Sequence, residues 1–300
     1  MSNILLENFS IRSFFIDTLR NKSQVFLFVA VLTSLFTSQS ALAQESFVPN
    51  FWDKHERFVK PDMSDVPRLR FLTTTDFPPF NFIDRNKRLT GFNVDLARAI
   101  CHELGIIKRC QIQALPWDEL EGALKKGDGE LILAGTAISE ESRKIYNFSR
   151  PYFHIPGRFV TRQDGGLRDP IYDNLFKKTT GVVTGSAHEA YFSKVFGERK
   201  FTTFATRTDA LAALQKGEVD AVFSDGLSLV FWLASAASNN CCRFVDGPFL
   251  SEEYFGKGLA VAMPKGNEKL KAAMDFALKS INDKGVFTEL YLRYFPIGMF

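Results

Sequence analysis

The sequence lacks the clustered ligands of a metal site. Its 300 residues include four cysteines and four histidines, and no histidine has ligand spacing to another histidine or to a cysteine. The histidines are His55, His102, His154 and His188. A nucleophile–base pair and a glycine-rich phosphate loop are also missing. We therefore expect neither a metal nor another cofactor.

An excess of one charge is missing as well. The chain has 37 lysine and arginine residues against 34 aspartate and glutamate residues, a formal net charge of +3. A chain with near-neutral charge and no basic run lacks the positively charged patch that binds nucleic-acid phosphates. We expect no nucleic-acid partner.

A hydrophobic run long enough to cross a membrane is also absent. The apolar run Val25–Phe36 falls short of the roughly 20 residues that span a bilayer. Basic residues precede it, and Ala41-Leu42-Ala43 follows it. This order predicts a cleaved signal peptide over residues 1–43 and a periplasmic protein, rather than a membrane anchor. Removal of 43 residues would leave 257 and lower the formal charge from +3 to +2.

Export makes the four cysteines candidates for disulfides. Cys101 lies on a predicted helix and Cys110 begins the next predicted strand, so we expect a bridge that closes a small loop. Cys241 and Cys242 are adjacent. A strained vicinal disulfide, two reduced thiols and one thiol buried as a small apolar residue all remain open for that pair.

Strands and helices alternate from Pro67 onward, in the rhythm of βαβ units. Residues 44–66 carry no such periodicity and are typical of an extended arm, with Phe51 and Trp52 packed on the body. A second set of elements follows the turn Gly165-Gly166, and a last helical pattern runs from Glu268 to Tyr294.

Each of the two sets contains a segment with the same sequence pattern. The segments beginning at Leu120 and Leu211 both read as a helix, a glycine stop and a strand. Their alignment places Gly135 and Asp225 at equivalent points, just past each strand's carboxyl end. Matching strand ends on two α/β lobes indicate a cleft between them, although chance similarity of two βα units is the alternative.

Aromatic residues stand at two predicted strand ends. Asp76 and Phe77 follow the strand that ends near Thr75, and Trp117 follows another. Each aromatic residue is next to a proline and outside a clean apolar stripe. Such side chains can line a ligand and stack on it, or they can plug the edge of the core.

Backbone donors and charged side chains stand at the other strand ends. The turn Gly135-Thr136-Ala137 with Arg143 can clamp a carboxylate, and the turn before Ser186 and Ala187 also offers N–H groups to an anion. Asp225 can accept from an ammonium group or can cap the helix after it. An exposed arginine and a helix cap are the plain alternatives. Together these residues complement a zwitterionic amino acid.

The order of these motifs resembles the polar amino-acid-binding family of periplasmic solute-binding proteins over roughly Arg68 to Phe295. The matching segments are Asp76-Phe77-Pro78-Pro79-Phe80, Gly91-Phe92-Asn93-Val94-Asp95-Leu96, Phe148-Ser149-Arg150-Pro151-Tyr152, Gly185-Ser186, Val219-Asp220-Ala221-Val222-Phe223-Ser224-Asp225, and Asp283-Lys284-Gly285 through Tyr294-Phe295.

The resemblance implies an α/β, type II periplasmic binding protein fold. Each lobe would be a mainly parallel sheet flanked by helices, and two crossing strands would form a hinge that closes on the ligand. The expected limits are a signal peptide at 1–43, an arm at 44–66, a first lobe at 67–161 plus 260–300, and a second lobe at 162–259.

The resemblance also implies roles for the residues of the cleft. Phe77 would cover the ligand and Trp117 would pack its opposite side. The amides from Gly135 would bind the carboxylate, and Asp225 would receive the α-amino group. Two positions depart from the family pattern: Ala137 replaces a hydroxyl residue, and Ser142 stands where the carboxylate-binding arginine is expected, with Arg143 one residue later.

The expected function is that of a non-enzymatic, monomeric binding protein that delivers a small polar solute to an ABC transporter permease. An amino acid is the expected ligand, and the displaced arginine leaves an amino-acid derivative or another small anion open. A periplasmic lyase or dehydratase on the same fold is the enzymatic alternative, with Asp76, His188 or Glu189 as the general acid. A ligand-sensing accessory protein is the third reading, and the arm at 44–66 is its only indication.

Overall fold

In the computed structural model of the protein, residues 48, 50, 52, 53 and 55–300 are described. The predicted signal peptide and Phe51 lie outside them. The strands are β1 (Leu69–Thr73), β2 (Asp76–Phe77), β3 (Asn81–Ile83), β4 (Leu89–Thr90), β5 (Cys110–Ala114), β6 (Leu131–Ile132), β7 (Asn147–Phe148), β8 (Gly157–Arg162), β9 (Thr180–Val183), β10 (Phe201–Phe204), β11 (Ala221–Asp225), β12 (Cys242–Phe249) and β13 (Ala262–Met263). The helices are α1 (Phe92–Leu104), α2 (Leu120–Lys126), α3 (Glu140–Ile145), α4 (Ile171–Asn174), α5 (Ala187–Val195), α6 (Arg207–Lys216), α7 (Gly226–Leu233), α8 (Glu252–Phe255), α9 (Glu268–Asp283) and α10 (Val286–Tyr294).

The strands form two five-stranded sheets and one small antiparallel sheet. The first sheet has the order β5-β1-β6-β13-β7, the second has β10-β9-β11-β8-β12, and the small sheet is β2-β3-β4. Hydrophobic clusters cover both faces of each large sheet, which is why strands such as β1 read as nearly continuous apolar runs. The predicted α/β fold with helix-flanked sheets is confirmed.

Both large sheets share one arrangement. In the first, β1 is parallel to β5 and β6, whereas β13 is antiparallel to β6 and β7. In the second, β9 is parallel to β10 and β11, whereas β8 is antiparallel to β11 and β12. Each sheet is therefore evenly mixed rather than mainly parallel, and the parallel strands are three neighbours whose carboxyl ends meet at one edge.

Two segments connect the sheets, and they pair with each other where they cross. Phe153 and Leu259 form an antiparallel bridge, and the amide of Leu259 donates to the carbonyl of Phe153 at 2.8 Å. Strand β8 belongs to the second sheet. This pairing favours a lobe boundary before Gly157, where the sequence predicted one after residue 161.

The structure bonds both cysteine pairs. Cys101 and Cys110 are joined, with their Cα atoms 6.1 Å apart, and Cys241 is joined to Cys242 as a vicinal disulfide. The two readings with free thiols that the sequence left open for Cys241 and Cys242 are therefore not the ones found. The described residues include no free cysteine.

The described part of the arm packs on the first sheet's core. Trp52 is buried, and the Arg150 guanidinium lies over the rings of Trp52 and Phe58 at 5.7 and 5.3 Å from their centroids. Arg150 also forms a two-pronged ion pair with Glu56. The arm is thus held by a residue at the start of a crossing segment.

The last helical pattern is two helices rather than one. Gly285 adopts a φ of 74° between α9 and α10, a conformation that breaks a helix. Among the helices of the described residues, none has the length and apolar character needed to traverse a membrane.

Candidate functional site

The first-sheet edge gathers three predicted residues. Strands β5, β1 and β6 are parallel neighbours, and the segments that leave their carboxyl ends carry Trp117, Phe77 and Gly135 respectively. Crevices at such edges are where α/β proteins bind ligands. The topology therefore brings together residues that are up to 58 positions apart in the chain.

Phe77 lies directly against Gly135. Its ring stacks on Phe80 with centroids 4.8 Å apart and planes at 14°. A Cβ built on Gly135 would lie 2.5 Å from the Phe77 Cε1 atom, and Gly135 has a φ of +82°. Only glycine combines this backbone conformation with so close a ring. Phe77 is half-buried, so one part of the ring packs on protein while another part faces solvent.

Trp117 and Thr136 line one pocket, with Leu120, Ile132 and Tyr146 among its other walls. Trp117 is 55% exposed, unlike an aromatic residue that plugs a core. Thr136 is only 7% exposed, yet its hydroxyl has no hydrogen-bond partner among the described residues. An unpaired buried hydroxyl costs free energy unless a ligand or solvent pairs with it. Ala137 is exposed and forms a bridge to Leu259.

A buried chain of hydrogen bonds supports the Phe77 loop. The Tyr152 hydroxyl donates to Asn93 Oδ1 at 2.9 Å, Asn93 Nδ2 donates to Asn81 Oδ1 at 2.8 Å, and Asn81 Nδ2 donates to Thr74 Oγ1 at 2.6 Å. Burial raises the pKa of Tyr152, although the bond to Asn93 opposes this. The sequence predicted no role for Asn81 and Asn93, because their hydrogen-bond partners come from segments that are distant in the chain.

Arg143 does not line the Thr136 pocket. Helix α3 begins with a capping box in which Ser139 and Ser142 bond each other's backbone amides, and the Ser142 hydroxyl donates to the Ala137 carbonyl. Arg143 is exposed and lines a separate recess that includes Lys265. Its predicted contact with a carboxylate stays a prediction, which this geometry disfavours.

The second-sheet edge carries the turn before α5. The Ser186 hydroxyl accepts from the Glu189 amide at 3.1 Å and donates to the Val183 carbonyl at 2.6 Å. The Glu189 carboxylate accepts from the Gly185 amide at 2.6 Å. Part of this anion-binding turn is therefore satisfied within the chain. Ala187 opens the helix and is exposed.

Asp225 both caps a helix and forms an ion pair. One carboxylate oxygen accepts from the Ser228 amide at 2.8 Å, and the other accepts from Arg207 Nη1 at 2.7 Å. The sequence left the cap and the ligand contact as alternatives, and the structure shows the cap. Arg207 was missed, although it follows β10 as directly as Ser186 follows β9.

His188 is half-buried at the start of α5. Its ring stacks on Phe255 with centroids 4.8 Å apart, and meets Phe223 at 5.6 Å. Burial lowers the pKa of His188; Arg207 also lowers it, and Asp225 opposes the shift. His188, Arg207 and Asp225 therefore form one electrostatic group at the edge of the second sheet.

Asp76 is the remaining residue of the predicted site. Asp76 is exposed in β2, where its neighbour across the small sheet is Phe82. Within the described residues, no group of three or more histidine, cysteine, aspartate or glutamate side chains could hold a metal ion.

Comparison with known proteins connects this geometry to a family. The sequence model of the bacterial extracellular solute-binding proteins, family 3, matches residues 69–297. The arginine-binding periplasmic protein of Mannheimia haemolytica is 30% identical over 218 residues, which are 73% of this chain and 87% of that protein.

Solved structures match over a similar span. The L-cystine solute receptor of Neisseria gonorrhoeae, in its unliganded open conformation, matches with a TM-score of 0.66 and 20% identity over 77% of this chain and 94% of its own. An ancestral cyclohexadienyl dehydratase matches with a TM-score of 0.64 and 19% identity over 77% and 94%. At these identities both structures support the fold alone.

Proposed function

The chain belongs to the bacterial extracellular solute-binding proteins of family 3, and we propose that it captures an amino acid or a related small polar solute for an ABC importer. The solute would bind between the two lobes, and closure of the hinge would present the loaded protein to the permease. The relative from Mannheimia haemolytica is an arginine-binding periplasmic protein, which supports an amino acid as the ligand class and the periplasm as the location.

The hydroxyl of Thr136 carries this proposal. Thr136 is more than nine-tenths buried, and its hydroxyl has no hydrogen-bond partner among the described residues. It lies in a pocket that is also lined by Trp117. A bound solute with a hydrogen-bonding end would satisfy it. Thr136 would also supply a hydroxyl where Ala137 has none.

The other proposed contacts come from both edges. Phe77 and Trp117 offer aromatic faces, and the amides from Gly135 to Ala137 offer donors to an anion. Asp76, which is exposed beside Phe77, would lie at the rim. From the second lobe, Asp225 would accept from an ammonium group, and Ser186 and Ala187 would add donors. The ligand would therefore be held by aromatic contact and by opposite charges at its two ends.

We also propose the organisation of the protein around this site. Residues 1–43 would be a cleaved signal peptide and 44–66 an arm. The first lobe would comprise about 67–156 plus 260–300 and the second about 157–259. The protein would act as a monomer without enzymatic activity and without a nucleic-acid partner.

Thermal-shift screening of the protein without residues 1–43 tests the proposal. Each of the twenty standard L-amino acids and a set of small organic acids would be added singly, and calorimetry would follow on the compound that stabilises most. We expect at least one compound to bind with a Kd in the micromolar range or below. The absence of binding by every compound would reject the proposed ligand class.

A periplasmic lyase or dehydratase is the second candidate, and His188 is the observation that favours it. Its pKa is lowered by burial and its ring packs on Phe255 and Phe223. The neutral imidazole is therefore favoured, and His188 would act as a general base rather than as the general acid expected from the sequence. Turnover of a cyclic carboxylic acid by the purified protein would support this activity. Binding without turnover would support the transport role.

A further inference from the structure

We propose that Arg207 binds the carboxylate of the ligand, the role that the sequence had assigned to Arg143. This inference rests on the proposed function, because it names the residue of the same cleft that selects for an anionic group.

The topology carries Arg207 to the site. Strands β10, β9 and β11 are parallel neighbours, and the segments that leave their carboxyl ends carry Arg207, Ser186 and Asp225. Arg207 is the first residue of α6, directly after the capping residue Thr206. Three consecutive strand ends of one sheet therefore present a cation, a hydroxyl and a carboxylate at a single edge.

Most N–H donors of the Arg207 guanidinium have no partner within the described residues. Within the described part of the chain, its side chain makes one hydrogen bond, from Nη1 to Asp225, and it is 42% exposed. A guanidinium carries five N–H donors in a planar fork. The donors not used by Asp225 match the geometry with which arginine binds a carboxylate through two parallel bonds.

The charges of the cluster select the chemical class of the ligand. Arg207 neutralises Asp225, and both Asp225 oxygens already accept hydrogen bonds. A bare cation therefore gains little from this carboxylate. A ligand with both a carboxylate and an ammonium group can place one charge on Arg207 and the other beside Asp225, so the arrangement selects a zwitterion over an amine.

Arg143 lacks these features. It is exposed and lines a recess that it shares with Lys265. Tyr146 borders both this recess and the pocket of Thr136, but Arg143 is not among the residues that line that pocket. If Arg207 binds the carboxylate, its substitution should weaken ligand binding and the substitution of Arg143 should not. If Arg143 binds the carboxylate, the reverse should hold.

The experiment compares Arg207→Ala with Arg143→Ala in the protein without residues 1–43. The probes are the amino acid that binds the wild-type protein most tightly in the twenty-compound screen, and its carboxamide, which lacks the carboxylate charge. Calorimetry measures both, and circular dichroism verifies folding. Arg207→Gln serves as the second variant, because it keeps a polar, hydrogen-bonding side chain without the charge.

We expect Arg207→Ala and Arg207→Gln to weaken binding of the amino acid on the order of 100-fold, the loss typical of a charge-assisted pair. Arg143→Ala should change it by less than about threefold. The wild-type protein should prefer the amino acid to its carboxamide, and both Arg207 variants should lose that preference. A role for Arg207 in merely orienting Asp225 would weaken both probes equally.

Three results would overturn the inference. They are an unchanged affinity in the Arg207 variants, an undiminished preference for the amino acid over the carboxamide, and a large loss confined to Arg143→Ala. A wild-type protein that binds no amino acid would instead reject the proposed function itself.

Discussion

The ring of Phe77 lies so close to the backbone of Gly135 that a single added methyl group would meet it at 2.5 Å. The contact joins the loop after β1 to the turn after β6, two strands that are neighbours in the sheet. It places an aromatic face beside the amides that follow Gly135. This packing is the feature of the first lobe on which the proposed pocket depends most.

Gly135→Ala should therefore destabilise the protein and weaken ligand binding. The φ of +82° alone costs about 1–2 kcal/mol for a residue with a Cβ, and displacement of Phe77 adds about 1 kcal/mol or more. Urea denaturation measures the first effect and calorimetry the second. Gly127→Ala is the matched control, because its φ is +76° and nothing lies within 4 Å of its Cβ position. Equal losses in the two variants would contradict a role for Phe77.

Thr136→Val should separate stability from binding. Removal of an unpaired buried hydroxyl should leave the free energy of unfolding unchanged or raise it by up to ~1 kcal/mol. Ligand affinity should fall roughly tenfold, because the hydrogen bond to the solute is lost. Thr180 offers the control, since its hydroxyl is also buried and unpaired but belongs to β9. Thr180→Val should leave affinity unchanged; a similar loss of affinity in both variants would show that the Thr136 effect is indirect.

Cys110→Ser should lower the free energy of unfolding by about 3 kcal/mol under non-reducing conditions, measured by urea denaturation. The bridge to Cys101 has a sequence separation of 9, and closing a loop of that order removes chain entropy from the unfolded state. Cys241→Ser breaks a link between adjacent residues, which closes almost no loop. We expect a much smaller effect there. Comparable destabilisation by the two variants would rule out loop closure as the main contribution.

Stability should fall in mild acid, in part through His188. Burial lowers its pKa in the folded protein below the ordinary value of 6.5, so the unfolded chain binds the proton more readily. The stabilisation is complete above that ordinary value and is lost as the pH falls through the folded-state pKa. His188→Gln should reduce the drop in melting temperature between about pH 8 and about pH 5.

His154, whose pKa burial also lowers, should account for a further part of this drop. A His154→Gln, His188→Gln double variant should show the smallest pH dependence. An identical drop in the wild-type protein and both variants would mean that other groups control acid stability.

Local signals predicted much of the architecture. The apolar run of β1, the glycine stop after α2 and the aromatic–proline loop at Phe77 each identify their own structure, because strand burial and turn chemistry act over a few residues. Other elements escaped prediction for the same reason. Strand β12 has an irregular register against β8, and its pattern of exposure lacks a clean alternation.

Local patterns were enough to predict a shared site at the strand ends that bear Phe77, Trp117 and Gly135, since parallel strands place their carboxyl ends together. The addition of Asp225 from the second sheet rested on the similarity of two helix–glycine–strand segments. The tertiary structure alone decided which charged side chains reach those ends. Arg207 begins α6, whereas Arg143 lies in the last turn of the short helix α3. The direction of each side chain depends on where it falls in its helix and on which strands become neighbours. Those are long-range outcomes of packing, and no pattern in a few residues contains them.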